Sequence, residues 1–566
     1  MASYKYECLK SDDAIRLLIL QPSEDLESEI HCSLITTTLT ECEDDIIDGY
    51  TALSYVWGSS LDSKQIYVGG IPIHVTQNLF DALRDLRDTY RTQRLWIDAI
   101  CINQAHEAER NQQVSIMGTI YSKAKHTVIY LGPDEQNPSC FDFIKQYLLD
   151  RKSTYIAGFL EFITLEALSS AWFTRVWVLQ ELVMSRDPLL QLGRSRMRWD
   201  TFNQYLKLRP LWAQPSVHEL SSQEIGVVHN TLDNLRTPLR GVNDLYRPFR
   251  DMHLVRSKFQ GWKLNIDLPA GLNLGEILQS RRGFGVLDPR DMIYAHLGMV
   301  PNKYGQKVDY GQSVSQVFTR IAIGLFCESS DLSWLGKIGR ACLGDKIEGL
   351  PSWVPNWTLP VVEAPQYHHE PGSIRYGKFV NFKGAVMLFL VNRQSRRPLA
   401  SRIHCDKLPS LLALECDFLG CVAELLPIAN QEPTDDPYQA EGIWNDNSNF
   451  LQAFLNDMQY IKLVVPASTL PGDYICTTTT SDKIGVVLRP IWPTIEASLA
   501  QGILSWYARH SDAWQSDAWQ GTNPCELSEG QDPLGHVLHT RLVGECFYNR
   551  RHLGRRKEET RIAILY

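Results

Sequence analysis

The sequence lacks most of the short signatures that announce a chemistry. It contains no GxxxxGK[ST] phosphate loop, no GxGxxG dinucleotide turn, no HExxH zinc helix and no GxSxG nucleophile elbow. Its 13 cysteines are scattered, with no CxxC pair, and the tightest spacing, Cys416 to Cys421, is not that of a zinc site. The opening MASYKYECLKSDD has no apolar core of a secretion signal. No run of about 18 apolar residues is long enough to cross a bilayer. Net charge is −9, so no overall basic field favours nucleic acid or an anionic membrane. These absences predict a reduced, soluble, cytoplasmic protein with no membrane span, no nucleic-acid partner, no metal and no resident cofactor. Its cysteines are expected to be mostly core residues.

What is present is ordinary globular composition, 44% hydrophobic and 21% charged, in a 566-residue chain. That length accommodates roughly two to four domains. The first 200 residues alternate between two periods. TALSYVWG (51–58) reads as a strand closed by Gly58, and QIYVGGIPIHV (65–75) as a hairpin turning at Gly69–Gly70. Leu79, Phe80, Leu83, Leu86 and Tyr90 recur at helical spacing behind Thr76, a natural N-cap. RLWIDAI reads as a strand, 106–125 as a helix and HTVIYLG (126–132) as a strand. Strands alternating with helices predict an α/β domain with a mostly parallel sheet, whose ligands sit beyond the carboxyl ends of the strands.

Two carboxylates stand out against this pattern. Asp98 interrupts the apolar run RLWIDAICINQ, where an unpaired charge is costly. It either caps the following loop through backbone N–H groups or orders a site at the strand's end. WFTRVWVLQELVM (172–184) predicts a buried helix, apolar on nearly every side except at Arg175, Gln180 and Glu181. Glu181 points to solvent, forms a buried ion pair with Arg175 or Arg110, or faces a pocket walled by Trp177. The lone histidines His74, His106 and His126 have no partner motif and are expected to be structural or exposed.

Beyond residue 200 the signals thin. The stretch 214–240 is polar and reads as a connection, and 287–300 as a helix capped by Asp288 or Asp291. Residues 308–326 read as a further helix, and LPSWVPNWT (350–358) as a rigid extended loop. From about 380 short strand-like runs predict a small β-rich unit. The tandem SDAWQSDAWQ (511–520) is too short for a solenoid, and the basic cluster at 550–557 reads as a solvated face. The division expected is an N-terminal extension at 1–47, an α/β domain at 48–200, a mainly helical region at 201–375 and a β-rich region at 376–566.

Five segments, in order, carry a family resemblance: YTALSYVWG, VTQNLFDALRDLR, LWIDAICINQ, ERNQQVSIMGTIYSKAKHTVIYLG and WFTRVWVLQEL. Over roughly residues 48–185 they resemble the fungal heterokaryon incompatibility (HET) domain. DPRDMIYAHLG, LPSWVPNW, GVVLRP and LVGECFY resemble later parts of the long proteins that carry it. Val56 and the Met292–His296 stretch are substitutions within motifs. The resemblance implies a role in non-self recognition between fungal cells that ends in regulated cell death. The HET domain is itself considered similar to TIR domains. ALSYVWG resembles the first strand and turn of a TIR domain, and WVLQEL resembles the helix that carries the catalytic glutamate of NAD-cleaving TIR enzymes. That comparison implies Glu181 as the catalytic acid. Trp57, Gly58, Asp98, Arg175 and Trp177 would bind NAD as substrate. The alternative is a non-enzymatic module that acts by self-association or by recruiting a protein partner.

Overall fold

The computed structural model describes residues 4–44, 49–59, 61–133, 140–149, 164, 166–208, 242–263, 272–301, 304–329, 347–359, 376–382, 385–391, 411–427, 450–455, 458–466, 469–477, 484–490, 537–547 and 559–565. The polar stretch 214–240, the pentapeptide repeat and the basic cluster at 550–557 lie outside them. The chain divides into two compact units, residues 1–311 and 312–566.

The first unit is built on a nine-stranded sheet in the order β5-β4-β2-β1-β6-β3-β7-β8-β9. Its strands are β1 (Ala14–Leu20), β2 (His31–Thr38), β3 (Thr51–Ser54), β4 (Ser63–Val68), β5 (Ile71–Thr76), β6 (Gln93–Trp96), β7 (His126–Gly132), β8 (Pro188–Leu192) and β9 (Ser195–Arg198). The run β6-β3-β7-β8 is parallel, as is β2 with β4. The pairs β1–β2, β1–β6, β4–β5 and β8–β9 are antiparallel. The mostly parallel sheet expected from the alternation is therefore a mixed one with a parallel centre. The short connections at Gly69–Gly70 and Gly193 can only return a strand antiparallel. Both hairpin glycines have positive φ, 58° and 78°, the geometry of a tight two-residue turn.

Residues 14–38 supply β1 and β2, and β1 lies between β2 and β6 in the interior of the sheet. Arg16 on β1 is buried and donates to both carboxylate oxygens of Glu109, at 2.6 and 3.0 Å. Ile15, Leu17, Leu53, Trp96, Ile120 and Tyr121 belong to one continuous core. Trp96 meets Tyr121 edge to face at 5.5 Å.

Helices occur where the periodicity placed them, with different limits. Thr76 caps the helix Gln77–Leu86, which stops before Tyr90. The Arg87 guanidinium turns back to four carbonyls, those of Asp25, Leu26, Ser28 and Glu29, and Tyr90 is left 78% exposed. His106 caps Glu107–Lys123 by accepting the Glu109 amide. The strand predicted through RLWIDAI ends at Trp96, and Asp98 begins a four-residue helix, Asp98–Cys101. Neither aspartate caps the short helix Asp291–Tyr294; Asp288 instead takes the Arg290 amide and guanidinium.

The helix predicted over 172–184 is broken. Ala171–Thr174 is a single 3-10 turn, Arg175 is extended at φ −87° and ψ 147°, and the α-helix runs only from Val178 to Met184. The break follows from hydrogen bonds made elsewhere. Gly285 N–H donates to Thr174 O and Val176 N–H donates to Gly285 O, which takes these groups out of any helix. Trp172, Phe173 and Phe249 gather around Trp199, which stacks on Phe249 at 4.2 Å, and Phe202 meets Phe249 edge to face. This second aromatic core joins the 3-10 turn to the helices Trp199–Leu208 and Val242–Lys263.

In the second unit a helix spans Val314–Ser329. The expected extended loop at 350–358 forms two tight turns, Pro351 to Val354 and Asn356 to Leu359, with Trp353 and Trp357 buried. The β-rich region is larger than its short runs suggested. Among the described residues it forms a nine-stranded sheet centred on the 17-residue strand Leu411–Pro427. Successive pairings lead from that strand through Phe450–Leu455, Met458–Pro466, Val537–Phe547, Ile484–Pro490 and Tyr474–Thr477 and back to it, closing a ring. Asp473, 2% exposed, holds Arg489 through two 2.9 Å bonds inside this unit. No helix among the described residues is long and apolar enough to cross a membrane.

Candidate functional site

The parallel centre of the first sheet sets the site. β3 and β6 are neighbours, and their carboxyl ends deliver Ser54 and Asp98 to the same rim. Such a rim is where open α/β sheets hold ligands. The chain leaves β3 through Tyr55–Gly58, a turn tied down by Asn78 Nδ2, which donates to Val56 O. Gly58 is exposed and has φ 77°, which admits the turn without strain. Trp57 Nε1 donates to Asp98 Oδ2 at 2.9 Å, linking the two strand ends. The other Asp98 oxygen accepts the Ala99 amide at 2.7 Å, so this carboxylate is both a loop cap and a rim group.

Glu181 arrives from the short helix Val178–Met184 and is 2% exposed. Its Oε2 accepts from Ser54 Oγ. Ser54 Oγ in turn accepts from Trp172 Nε1 at 2.7 Å. An indole nitrogen is only a donor, so the Ser54 proton is directed at Glu181. The relay Trp172–Ser54–Glu181 thus has one sense. Arg175 donates to Tyr55 O, and its charge lies close enough to lower the pKa of both carboxyls. The buried ion pair considered for Glu181 is replaced by the bond to Ser54. Arg110 instead lies over the Tyr310 ring at 4.3 Å.

Burial dominates the electrostatics. It pushes the Glu181 carboxyl up to about 7, against the opposing pull of Arg175 and Ser54, with Asp98 adding to the rise. Asp98 is raised in the same way, opposed by Arg175, Trp57 and the Ala99 amide. Tyr55 and Tyr121 are buried against the same two carboxylates and stay protonated. Trp57, Asp98, Arg175 and Trp177 each keep part of their surface exposed, whereas Glu181 and Ser54 are closed in behind them. Trp177 lies near a second acid, Asp291, which burial raises to about 6 and which accepts from Tyr310 Oη at 2.6 Å.

Trp57, Gly58, Asp98, Arg175 and Glu181 are brought to this rim, and Trp177 stands near Asp291. Ser54 and Trp172 were missed as partners of Glu181. The one trace of Ser54 in the sequence is a hydroxyl closing an otherwise apolar strand, TALS. No group of three or more His, Cys, Asp or Glu side chains among the described residues is arranged to hold a metal ion.

Residues 50–181, which span Ser54, Trp57, Asp98, Trp172, Arg175 and Glu181, match the family model described as Heterokaryon incompatibility protein (HET). Heterokaryon incompatibility protein 6, OR allele, of Neurospora crassa is 26% identical over 450 residues, 64% of this chain. The chain spans 60% of the length of that relative. No solved structure matches. The rim thus lies within the segment, residues 50–181, that matches the heterokaryon incompatibility family model, in a chain similar to a heterokaryon incompatibility protein 6.

Proposed function

We propose that this protein acts in fungal heterokaryon incompatibility as an effector of regulated cell death, and that its HET domain is a TIR-like module that cleaves NAD⁺ at Glu181. The observation that carries the reading is a buried carboxyl at the carboxyl ends of parallel strands, raised to about 7 and held by a one-directional hydrogen-bond relay. Groups tuned in this way cluster at reaction sites.

In the proposed reaction the bond between nicotinamide and ribose C1′ breaks. Its electron pair leaves with neutral nicotinamide, and the ribosyl group passes through an oxocarbenium-like state. Water adds to C1′ and releases a proton, giving ADP-ribose. Ionised Glu181 stabilises the cationic ribose and orients its hydroxyls. Ser54 fixes the carboxylate's direction. Arg175 balances the charge of the two acids and offers its remaining N–H groups to phosphate. Trp57 and Trp177, both partly exposed, offer ring faces for stacking, and Gly58 lets backbone approach the ligand.

The test is NAD⁺ consumption by the purified full-length protein against Glu181→Gln. The expected result is loss of turnover in the variant, and a wild-type rate that rises with pH through about 7, because the carboxylate is the working form. The 2% exposure of Glu181 favours a second reading, a non-enzymatic module acting by self-association or partner recruitment. Equal, zero turnover from an assembled, death-competent protein would establish that reading and sink the enzymatic one.

A further inference from the structure

We infer that Gln180 is the positioning residue of this site: its buried amide fixes the rotation of the Val178–Met184 helix and with it the direction of Glu181. The inference rests on the reading of Glu181 as the reactive acid. That helix has seven residues. So short a helix is not held by its own hydrogen bonds and takes its orientation from what it is anchored to. Gln180 and Glu181 are adjacent and project about 100° apart around the helix axis. Glu181 points to Ser54, and Gln180, 2% exposed, points into a slot between two glycines.

The slot fits the amide closely. With the amide turned so that each atom meets its complement, Gln180 Nε2 donates to Ala295 O at 2.9 Å and Oε1 accepts from Gly118 N–H at 3.0 Å. A Cβ on Gly118 would stand 2.6 Å from the amide end, and one on Gly298 only 2.3 Å from it. Real side chains do not approach so closely, so both positions admit only glycine while the amide is in place. Neither glycine has a positive φ, so what excludes a side chain there is the amide itself. The arrangement joins three separate pieces of chain: the helix Glu107–Lys123, the helix of Glu181, and the segment 295–298. Two arginines from the same later part of the chain hold the backbone on either side. Arg256 donates to Leu182 O and Ser185 O, both at 2.7 Å, and Arg281 donates to Arg175 O. These contacts hold the helix by its backbone; the Gln180 amide adds a directional side-chain anchor to the buried Val178, Leu179, Leu182 and Val183, and so sets the rotation about the axis.

The family-matched segment ends at Glu181, so Ala295 and Gly298 lie outside it. The direction of the acid therefore depends on residues that the matched segment does not contain.

The experiment compares Gln180→Met and Gly298→Ala with wild type in the full-length protein, using NAD⁺ as probe. Methionine keeps the length and loses both hydrogen bonds. The alanine methyl pushes the amide out of its slot and is the gentler change if Gln180→Met does not fold. Each folded variant is expected to lose kcat by about tenfold to a hundredfold with KM within about twofold, the signature of a displaced reacting group. A second readout is independent of turnover: the titration of the Glu181 carboxyl, followed by difference infrared spectroscopy against Glu181→Gln. Its midpoint is expected to leave the region of 7 in both variants, since the Ser54 bond and the burial change together. A lowered melting temperature with unchanged kcat and an unchanged Glu181 midpoint would reduce Gln180 to a packing residue and overturn the inference. If wild type does not cleave NAD⁺, the enzymatic reading fails, and the midpoint alone decides for or against Gln180.

Discussion

The residue around which the site is built works against the fold at neutral pH. Below about 4.5, folded and unfolded chains both hold the Glu181 proton. Between there and about 7 only the unfolded chain releases it, so the folded state loses ground as pH rises; above 7 the loss is complete and constant. Glutamine mimics the protonated acid in shape and still accepts from Ser54. Glu181→Gln is therefore expected to match wild type in stability at pH 4 and to exceed it by about 3 kcal/mol at pH 8. Urea unfolding at the two values checks this, and equal stabilities at both would mean that Glu181 is not raised. His296 works in the opposite direction. Fully buried and lowered to about 3 by desolvation, with Arg281 adding to the effect, it withholds a proton that the unfolded chain takes up below 6.5. At residue scale the sequence was legible where a charge broke an apolar run, as at Asp98 and Glu181. It marked Gln180 only as a polar exception and was silent on Ser54, because their roles are made by partners far along the chain: Glu181 is 127 positions from Ser54.

At the scale of elements, amphipathic period and turn chemistry located the hairpin at Gly69–Gly70 and the helices after Thr76 and His106. Those signals are local, and so are their caps. The break in 172–184 was hidden because every residue there tolerates a helix; what stops it is the pairing with Gly285, more than a hundred residues away. The direction of the outer strand pairs was hidden for the same reason, since alternation alone does not say which strand returns beside which. The Glu181 helix leans on a side chain from far along the sequence. Arg256, 6% exposed, serves carbonyls at its end. Arg256→Met leaves those carbonyls buried without a donor and is expected to cost about 2–4 kcal/mol. Thermal unfolding measures it; a change within error would show that water takes over the role.

For the whole molecule, the boundary of the family match and the boundary of the fold do not coincide. The match begins at residue 50, whereas β1 and β2 lie before it and β1 is an interior strand. A fragment starting at Tyr50 would expose the flank of β6 and leave Glu109 buried without Arg16, a loss of about 3–5 kcal/mol from the charge alone. It is expected to be insoluble or unfolded by circular dichroism, while residues 1–311 give a cooperative transition. A folded fragment from Tyr50 would show that β1 is dispensable.

The position of β1 also governs the order in which the sheet can be made. β1 and β2 form an antiparallel pair close in sequence and can associate as soon as both are synthesised. The other flank of β1 stays open until Gln93–Trp96 follows, and the parallel centre is not complete until Pro188–Leu192 has left the ribosome. For all that time an apolar strand edge waits beside its future neighbours, the condition under which nascent chains recruit chaperones or pair with one another.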